Sequence, residues 1–161
     1  MSAGPLIASG VGILLLVATA YILIGGTLVT TEVMVEAQSN LATYQEARMR
    51  TAIAIQNTSI ADSALFVEVK NTGSEPVVGI PSIDVYLQSG GVPVYIPYGN
   101  WSNIPYGNWS KVNITPDEVH PGELDPGETL NLSVTYQDIS PTWVQVVTPN
   151  GVSSSAYITG E

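Results

Sequence analysis

The residues with the clearest chemistry in this sequence are asparagines that can accept an N-linked glycan. The acceptor pattern is Asn followed two residues later by Ser or Thr, and the modification takes place on the outer side of a membrane. A chain rich in Asn, Ser and Thr produces some of these patterns by chance, but this chain has five. We therefore expect some of them to be used. The candidate acceptors are Asn57, Asn100, Asn108, Asn113 and Asn131.

A cluster of carboxylates between turn residues offers a second kind of site. Ca²⁺ takes about six to eight oxygen ligands, but the spacing here matches no EF-hand loop. A solvated acidic edge is therefore the favoured interpretation, with calcium as the alternative. The lone His120 in this stretch is interpreted as a solvated loop residue, since a zinc site usually needs several ligands. The carboxylates are Asp117, Glu118, Glu123, Asp125 and Glu128.

The sequence shows no catalytic constellation. It contains no nucleophile elbow, no metal-spaced cluster and no phosphate-binding loop. There are no cysteines, which excludes a disulfide scaffold and thiolate metal sites. The net charge of -10, from 14 acidic and 4 basic residues, argues against nucleic-acid binding. We predict a non-enzymatic protein without a cofactor.

A short aromatic repeat lies in the second half of the chain. "IPYGNWSNIPYGNWSK", from Ile96 to Lys111, contains the same seven residues twice. Such a duplication is tolerated best in a loop or hairpin at the surface, where its aromatic residues are exposed unless something covers them. They either pack on the domain or form a contact surface for another copy, the envelope lattice or sugars, edged by glycans. These residues are Tyr98, Trp101, Tyr106 and Trp109.

The first 31 residues contain no charged side chain, and the stretch from Leu6 to Val29 is mostly apolar. A helix of about 20 apolar residues spans a bilayer, so the sequence predicts a membrane-spanning helix. A buried core helix is disfavoured, because few core helices are apolar on all faces for this length. A cleaved signal peptide is the stronger rival, but no basic residue precedes the run. Membrane lipid is thus an expected partner.

The next segment, from Glu32 to Arg50, contains neither Pro nor Gly. Its less polar residues recur at spacings of three and four, which predicts a seam on an amphipathic helix. We expect one helix from about Pro5 to Arg48, with Leu41 and Tyr44 facing a second copy of the chain or the downstream domain. Residues 1–50 are thus predicted to form a membrane helix and stalk, and residues 51–161 a separate domain.

After Thr51 the apolar residues alternate with polar ones along eight short segments that are separated by Gly, Pro, Asn or Asp. This period is that of β-strands. In one segment Leu65, Val67 and Val69 point one way, while the residues between them point the other. Short strands at this density predict an all-β immunoglobulin-like sandwich, with a barrel as the alternative.

Four stretches carry a family resemblance: "VEVKNTGSEPV", "ELDPGETLNLSV", "EARMRTAIAIQNTSI" and "VVTPNGVSSSAY". Together with the N-terminal apolar helix, they resemble the F and G accessory proteins of the archaellum, the archaeal flagellum. The N-terminal "SAGPLIASGVGI" favours F. The resemblance implies a membrane-anchored stator protein whose sandwich lies outside the cell membrane and links the motor to the S-layer. The implied partners are archaellum proteins and the S-layer or another envelope protein.

Two other functions stay open. Archaellins and archaeal pilins, which form extracellular filaments, share the plan of an apolar helix followed by a β-sandwich. They differ in having a basic leader that ends in a cleavable Gly, whereas Gly4 follows only "MSA". We therefore expect an anchor rather than a filament subunit. The aromatic repeat alone suggests the third function, a carbohydrate-binding surface module.

Overall fold

The computed structural model describes residues 3–99 and 105–158, apart from the side chains of Leu28 and Val29. Within these residues the chain forms one α-helix, one short 3₁₀ helix and eight β-strands. It divides into two compact units, Met1–Thr43 and Tyr44–Glu161. The elements are α1 (Gly4–Arg50), β1 (Ile53–Ala61), β2 (Ala64–Asn71), the 3₁₀ helix (Ile80–Ser82), β3 (Asp84–Ser89), β4 (Val92–Ile96), β5 (Gly107–Thr115), β6 (Thr129–Tyr136), β7 (Trp143–Val147) and β8 (Ser153–Tyr157).

Helix α1 confirms the predicted long helix, and by length and composition it can cross a membrane. Its most apolar stretch has a mean hydropathy of 2.4. Hydroxyl groups within this stretch donate to carbonyls of the preceding turn, for example from Thr19 to Leu15 at 2.9 Å and from Thr27 to Leu23 at 3.0 Å. Because lipid offers no hydrogen-bond partners, these internal bonds make the polar side chains compatible with an apolar environment.

The eight strands form two antiparallel four-stranded sheets. The first has the order β1-β2-β6-β5 and the second the order β4-β3-β7-β8. In chain order these correspond to strands A, B, E and D and to strands C′, C, F and G of an immunoglobulin-type sandwich. The predicted sandwich is confirmed, and the alternative of a single closed barrel is wrong.

The core lies between the two sheets and follows the predicted alternation. The inward residues of β2, β3, β6 and β7 are almost entirely Leu and Val, and burying each such side chain stabilises the fold by roughly 1.5–3 kcal/mol. The largest fully buried side chains include Trp109, Leu65, Leu87, Leu130 and Leu132.

The C-terminal end of α1 continues directly into the sandwich. Two residues separate it from β1, and both are hydrogen-bonded to loops of the sandwich. The backbone N–H of Thr72 donates to the carbonyl of Ala52 at 2.8 Å. The side-chain amide of Asn150 donates to Thr51 Oγ1 at 2.7 Å. The junction therefore contains no free linker segment.

Candidate interaction surfaces

The repeat joins the two sheets. The N–H of Trp109 donates to the carbonyl of Pro97, and the N–H of Gly99 donates to the carbonyl of Trp109, both at 2.9 Å. The rings of Tyr98 and Trp109 meet edge to face with centroids 4.7 Å apart. The first half of one copy thus pairs with the second half of the other, and the two copies have different structural roles.

For Trp109 the structure supports the first of the two alternatives, packing on the domain, and excludes this side chain as a surface contact. Its side chain is 0% exposed and belongs to the core, because Gly107–Ser110 of the second copy begin strand β5 rather than a loop. Tyr98 packs against the same core. Tyr106 is 42% exposed and remains a surface candidate. Asn100 and Trp101 lie outside the described residues.

The predicted seam residues Leu41 and Tyr44 are 56% and 50% exposed. They fall in different units of the chain, Leu41 in the first and Tyr44 in the second. Neither is buried, so a large part of each side chain is available to a partner. Their role in self-association remains a prediction.

The outer face of the second sheet carries an aromatic cluster that the sequence motifs did not predict. One cross-strand row contains Tyr95, Tyr86 and Gln145, and the next contains Gln88, Trp143 and Tyr157. The rings of Tyr86 and Tyr95 lie 5.5 Å apart. The alternation along the strands contained this information. These residues alternate with the Val and Leu residues of the core, so they occupy the positions that face away from it. We call this surface the aromatic face.

The aromatic face has the composition of an interface rather than of an ordinary solvated surface. Its four strands, as the structure describes them, contain no Lys or Arg. Partial burial, together with the neighbouring carboxylate of Asp84, raises the pKa of Tyr95. Tyr157 is 78% exposed. Aromatic enrichment and charge depletion are typical of the centre of protein interfaces.

The four described glycan acceptors lie on the outer face of the first sheet. Asn57 is on β1, Asn108 and Asn113 are on β5, and Asn131 is on β6. Asn131 donates to Asn113 Oδ1 at 2.7 Å, while Asn108 Oδ1 accepts from the Thr135 hydroxyl at 2.6 Å. Nothing in the linear spacing of these asparagines indicated that they share one face.

The acidic loop differs from the solvated edge that was expected. Asp125 and Glu128 are only 3% and 4% exposed. Asp125 accepts the backbone N–H of His120 at 2.8 Å, and Glu128 accepts that of Asp125 at 3.1 Å. Both carboxylates therefore satisfy backbone donors of their own loop. His120 is largely exposed, but its Nδ1 lies 2.9 Å from Asp125 Oδ1.

This contact makes the loop sensitive to pH. The hydrogen bond to Asp125 raises the pKa of His120, aided by the carboxylates of Asp125, Glu123 and Glu128. The same bond lowers the pKa of Asp125. The stabilisation that protonated His120 adds through this contact is complete below the ordinary His pKa of about 6.5. It is lost as pH rises through the raised pKa. The stabilisation that ionised Asp125 adds is complete above the ordinary Asp pKa. It is lost as pH falls through the lowered pKa.

We expect His120→Gln to reduce thermal stability most at about pH 5 and much less at about pH 9, where the imidazole of the wild type is neutral. The difference in melting temperature between the two proteins, measured across this range on the full chain in detergent, should shrink by more than half. A difference that does not change with pH would show that the charge on His120 contributes nothing to stability.

Comparison with known proteins gives similarity in fold. No protein-family model matches the chain, and no curated protein matches it. A solved structure of the archaellum periplasmic stator protein FlaG from Sulfolobus acidocaldarius matches with a TM-score of 0.53 and 20% identity, over 66% of this chain and 97% of that chain. The archaellum periplasmic stator protein complex of FlaF and FlaG from the same organism matches with a TM-score of 0.51 and 21% identity, over 65% of this chain and 85% of that chain.

The likeness is one of fold. It agrees with the resemblance to archaellum accessory proteins that the sequence indicated, and it gives no preference for F over G.

Proposed function

We propose that this protein is a non-enzymatic accessory protein of the archaellum that acts as a stator component. The observation that carries this proposal is the likeness of the fold to the archaellum stator protein FlaG over nearly the whole of that chain. The apolar helix supports it, since a stator has to be anchored. In this proposal α1 crosses the cell membrane once, and the sandwich lies between that membrane and the S-layer.

The junction between α1 and β1 supports a mechanical role. A stator has to hold its outer domain against the motor, and a flexible Gly- or Ser-rich linker would absorb relative movement instead. Here the Arg50 carbonyl accepts the Ser74 N–H at 2.9 Å, and the Arg50 guanidinium lies 3.6 Å from the Glu75 carboxylate. Together with the bonds to Thr51 and Ala52, these contacts hold the last turn of the helix to the sandwich.

We assign the envelope contact to the aromatic face. Trp and Tyr are the residues most often found as binding hot spots, and this face presents them on a regular sheet surface. The charge-poor character of the face suits a protein partner, because few charged groups have to be desolvated on binding. The exposed Tyr106 of the repeat is a secondary contact candidate.

The test is co-sedimentation of the full chain, purified in detergent, with S-layer sheets isolated from the source archaeon. Changing Trp143→Ala together with Tyr157→Ala should weaken binding at least about tenfold, which corresponds to about 1.4 kcal/mol. Phe66→Ala is the matched control, since it removes an aromatic side chain from the outer face of the other sheet. Tyr157→Ala alone guards against a folding defect, because this side chain is exposed.

Unchanged binding by the double variant would exclude the aromatic face as the contact. Failure of the unaltered chain to bind the envelope would overturn the proposed linkage. The rival function, a filament subunit, predicts instead that the native N-terminus begins inside the apolar run, which N-terminal sequencing would detect. Binding to purified glycans but not to S-layer protein would favour the carbohydrate-binding alternative.

A further inference from the structure

The outer face of the first sheet places complete glycan acceptor patterns at the surface. A strand alternates its side chains with a period of two, so the Asn and the Ser or Thr of each pattern lie on the same side. The residue between them points inward, as buried Trp109, Ile114 and Leu132 do. Each pattern therefore presents both of its recognition groups on the outer face. The middle residue packs in the core in three of the patterns and is the half-buried Thr58 in the pattern of Asn57.

Two β-bulges determine which asparagines reach this face. The register of β1 shifts between Ile55 and Asn57, and that of β5 shifts between Lys111 and Asn113. With unbroken alternation, Asn57 would share the inward phase of Ile55, and Asn113 would share that of Trp109. The extra residue of each bulge reverses the phase and points both asparagines outward. A bulge on each of the two edge strands thus turns one asparagine outward, at equivalent positions of the sheet.

The two bulges also bring the asparagines into one cross-strand row. Asn57 pairs with Glu68, Glu68 with Asn131, and Asn131 with Asn113. Neighbouring strands lie about 4.8 Å apart, so Asn57 and Asn113, at opposite ends of the row, are separated by about 14 Å. Asn131 and Asn113 are direct neighbours, with too little space for a sugar chain on each.

We propose that Asn57 and Asn113 carry N-linked glycans and that Asn131 and Asn108 do not. This inference rests on the proposed location of the sandwich outside the cell membrane. Asn57 and Asn113 are exposed and lie on the two edge strands of the sheet. An edge strand is hydrogen-bonded to a neighbour on one side only, so a segment of it can separate from the sheet with fewer broken bonds. Asn131 lies on an interior strand, paired on both sides.

The hydrogen bonds agree with this choice. The glycan is attached to the side-chain nitrogen, and the Nδ2 of Asn131 is engaged by Asn113 Oδ1. Asn113 uses its oxygen in that contact. The side chain of Asn57 makes no hydrogen bond with any residue that the structure describes. Asn108, whose Oδ1 accepts from the Thr135 hydroxyl, is distinguished by burial instead: it is half-buried, whereas Asn57 and Asn113 are exposed.

The consequence is a two-sided domain. Glycans on the outer face of the first sheet would shield that face from protein contacts, while the aromatic face on the second sheet contains none of the described acceptors. The modification would thereby restrict docking to one side of the sandwich.

The test uses the full chain produced in an archaeon that glycosylates its surface proteins. Ser59→Ala and Thr115→Ala remove the acceptor patterns at Asn57 and Asn113 without changing either asparagine. Each should remove one glycan, seen as a step in gel mobility and as loss of a glycopeptide mass, and the double variant should lose both. Ser110→Ala and Ser133→Ala, which remove the patterns at Asn108 and Asn131, are the matched controls and should leave mobility unchanged.

Protease treatment of intact spheroplasts separates the two possible failures. A sandwich that protease removes, but whose Asn57 and Asn113 peptides are unmodified, overturns the glycan inference while the proposed location stands. A fully protected sandwich overturns the location and the glycan inference with it. Glycans found at Asn131 would contradict the argument from strand position and hydrogen bonding.

Discussion

Replacing Trp109 with alanine is expected to lower the free energy of unfolding of the sandwich by about 3–5 kcal/mol, since a fully buried Trp is truncated. The indole belongs to the core between the two sheets, and it packs edge to face against the ring of Tyr98. The empty volume cannot close easily, because the inward residues on each side belong to hydrogen-bonded strands. Chemical denaturation of the full chain in detergent, followed by circular dichroism of the strands, measures the change.

Two variants test the specificity of this effect. The indole N–H of Trp109 has no hydrogen-bond partner among residues 3–99 and 105–158, so Trp109→Phe removes no polar contact there and should cost only about 1–2 kcal/mol. Tyr106→Ala alters an exposed aromatic residue of the same repeat and should stay within about 0.5 kcal/mol of the unaltered chain. Equal stability of the Trp109→Ala variant and the unaltered chain would contradict the burial of this side chain.

The second large effect is expected at Gly107. This residue opens β5 with a φ of +110°, a conformation that side chains other than that of glycine rarely adopt. An added Cβ would collide with the carbonyl oxygen of Thr135 and lie 2.8 Å from the Cα of Tyr136. Both contacts are with backbone of the neighbouring strand, so no rotamer change can relieve them. Gly107→Ala should therefore destabilise the sandwich by about 3–5 kcal/mol, measured in the same way.

The Gly122→Ala variant separates the cost of a positive φ from the cost of the collision with the neighbouring strand. Gly122 also has a positive φ, of +93°, but an added Cβ there has no neighbour within 4 Å among the atoms that the structure describes. It should cost only about 1–2 kcal/mol. If the two variants are equally stable, close approach of β5 to β6 is not what requires glycine at position 107.

Much of the architecture was predictable from local patterns. The uncharged N-terminal run specifies an apolar helix, because a helix satisfies the backbone hydrogen bonds of an apolar segment within that segment and needs no tertiary contact. The alternation in segments such as that around Leu65, Val67 and Val69 specifies strands with one buried face. Both signals are repeated over many residues, so a single irregular position does not change the prediction.

The roles of the repeat and of the aromatic face could be recognised only in the tertiary structure. Two identical heptapeptides cannot be told apart by sequence, yet pairing with β6 buries Trp109 of the second copy, while Tyr98 of the first packs on it from the end of β4. The aromatic face was visible only as the polar phase of four strands, and it required their pairing order to become one surface.

Four features of the protein follow from the sequence alone: a long apolar helix, a β-rich domain, a net charge of -10 and the presence of glycan acceptor patterns. Each of these depends on composition or on a short period along the chain. Which acceptors share a face depends on the tertiary structure, because the bulges before Asn57 and Asn113 reverse the alternation that the sequence implies. A bulge arises from the fit between paired strands, and one strand read alone does not contain that information.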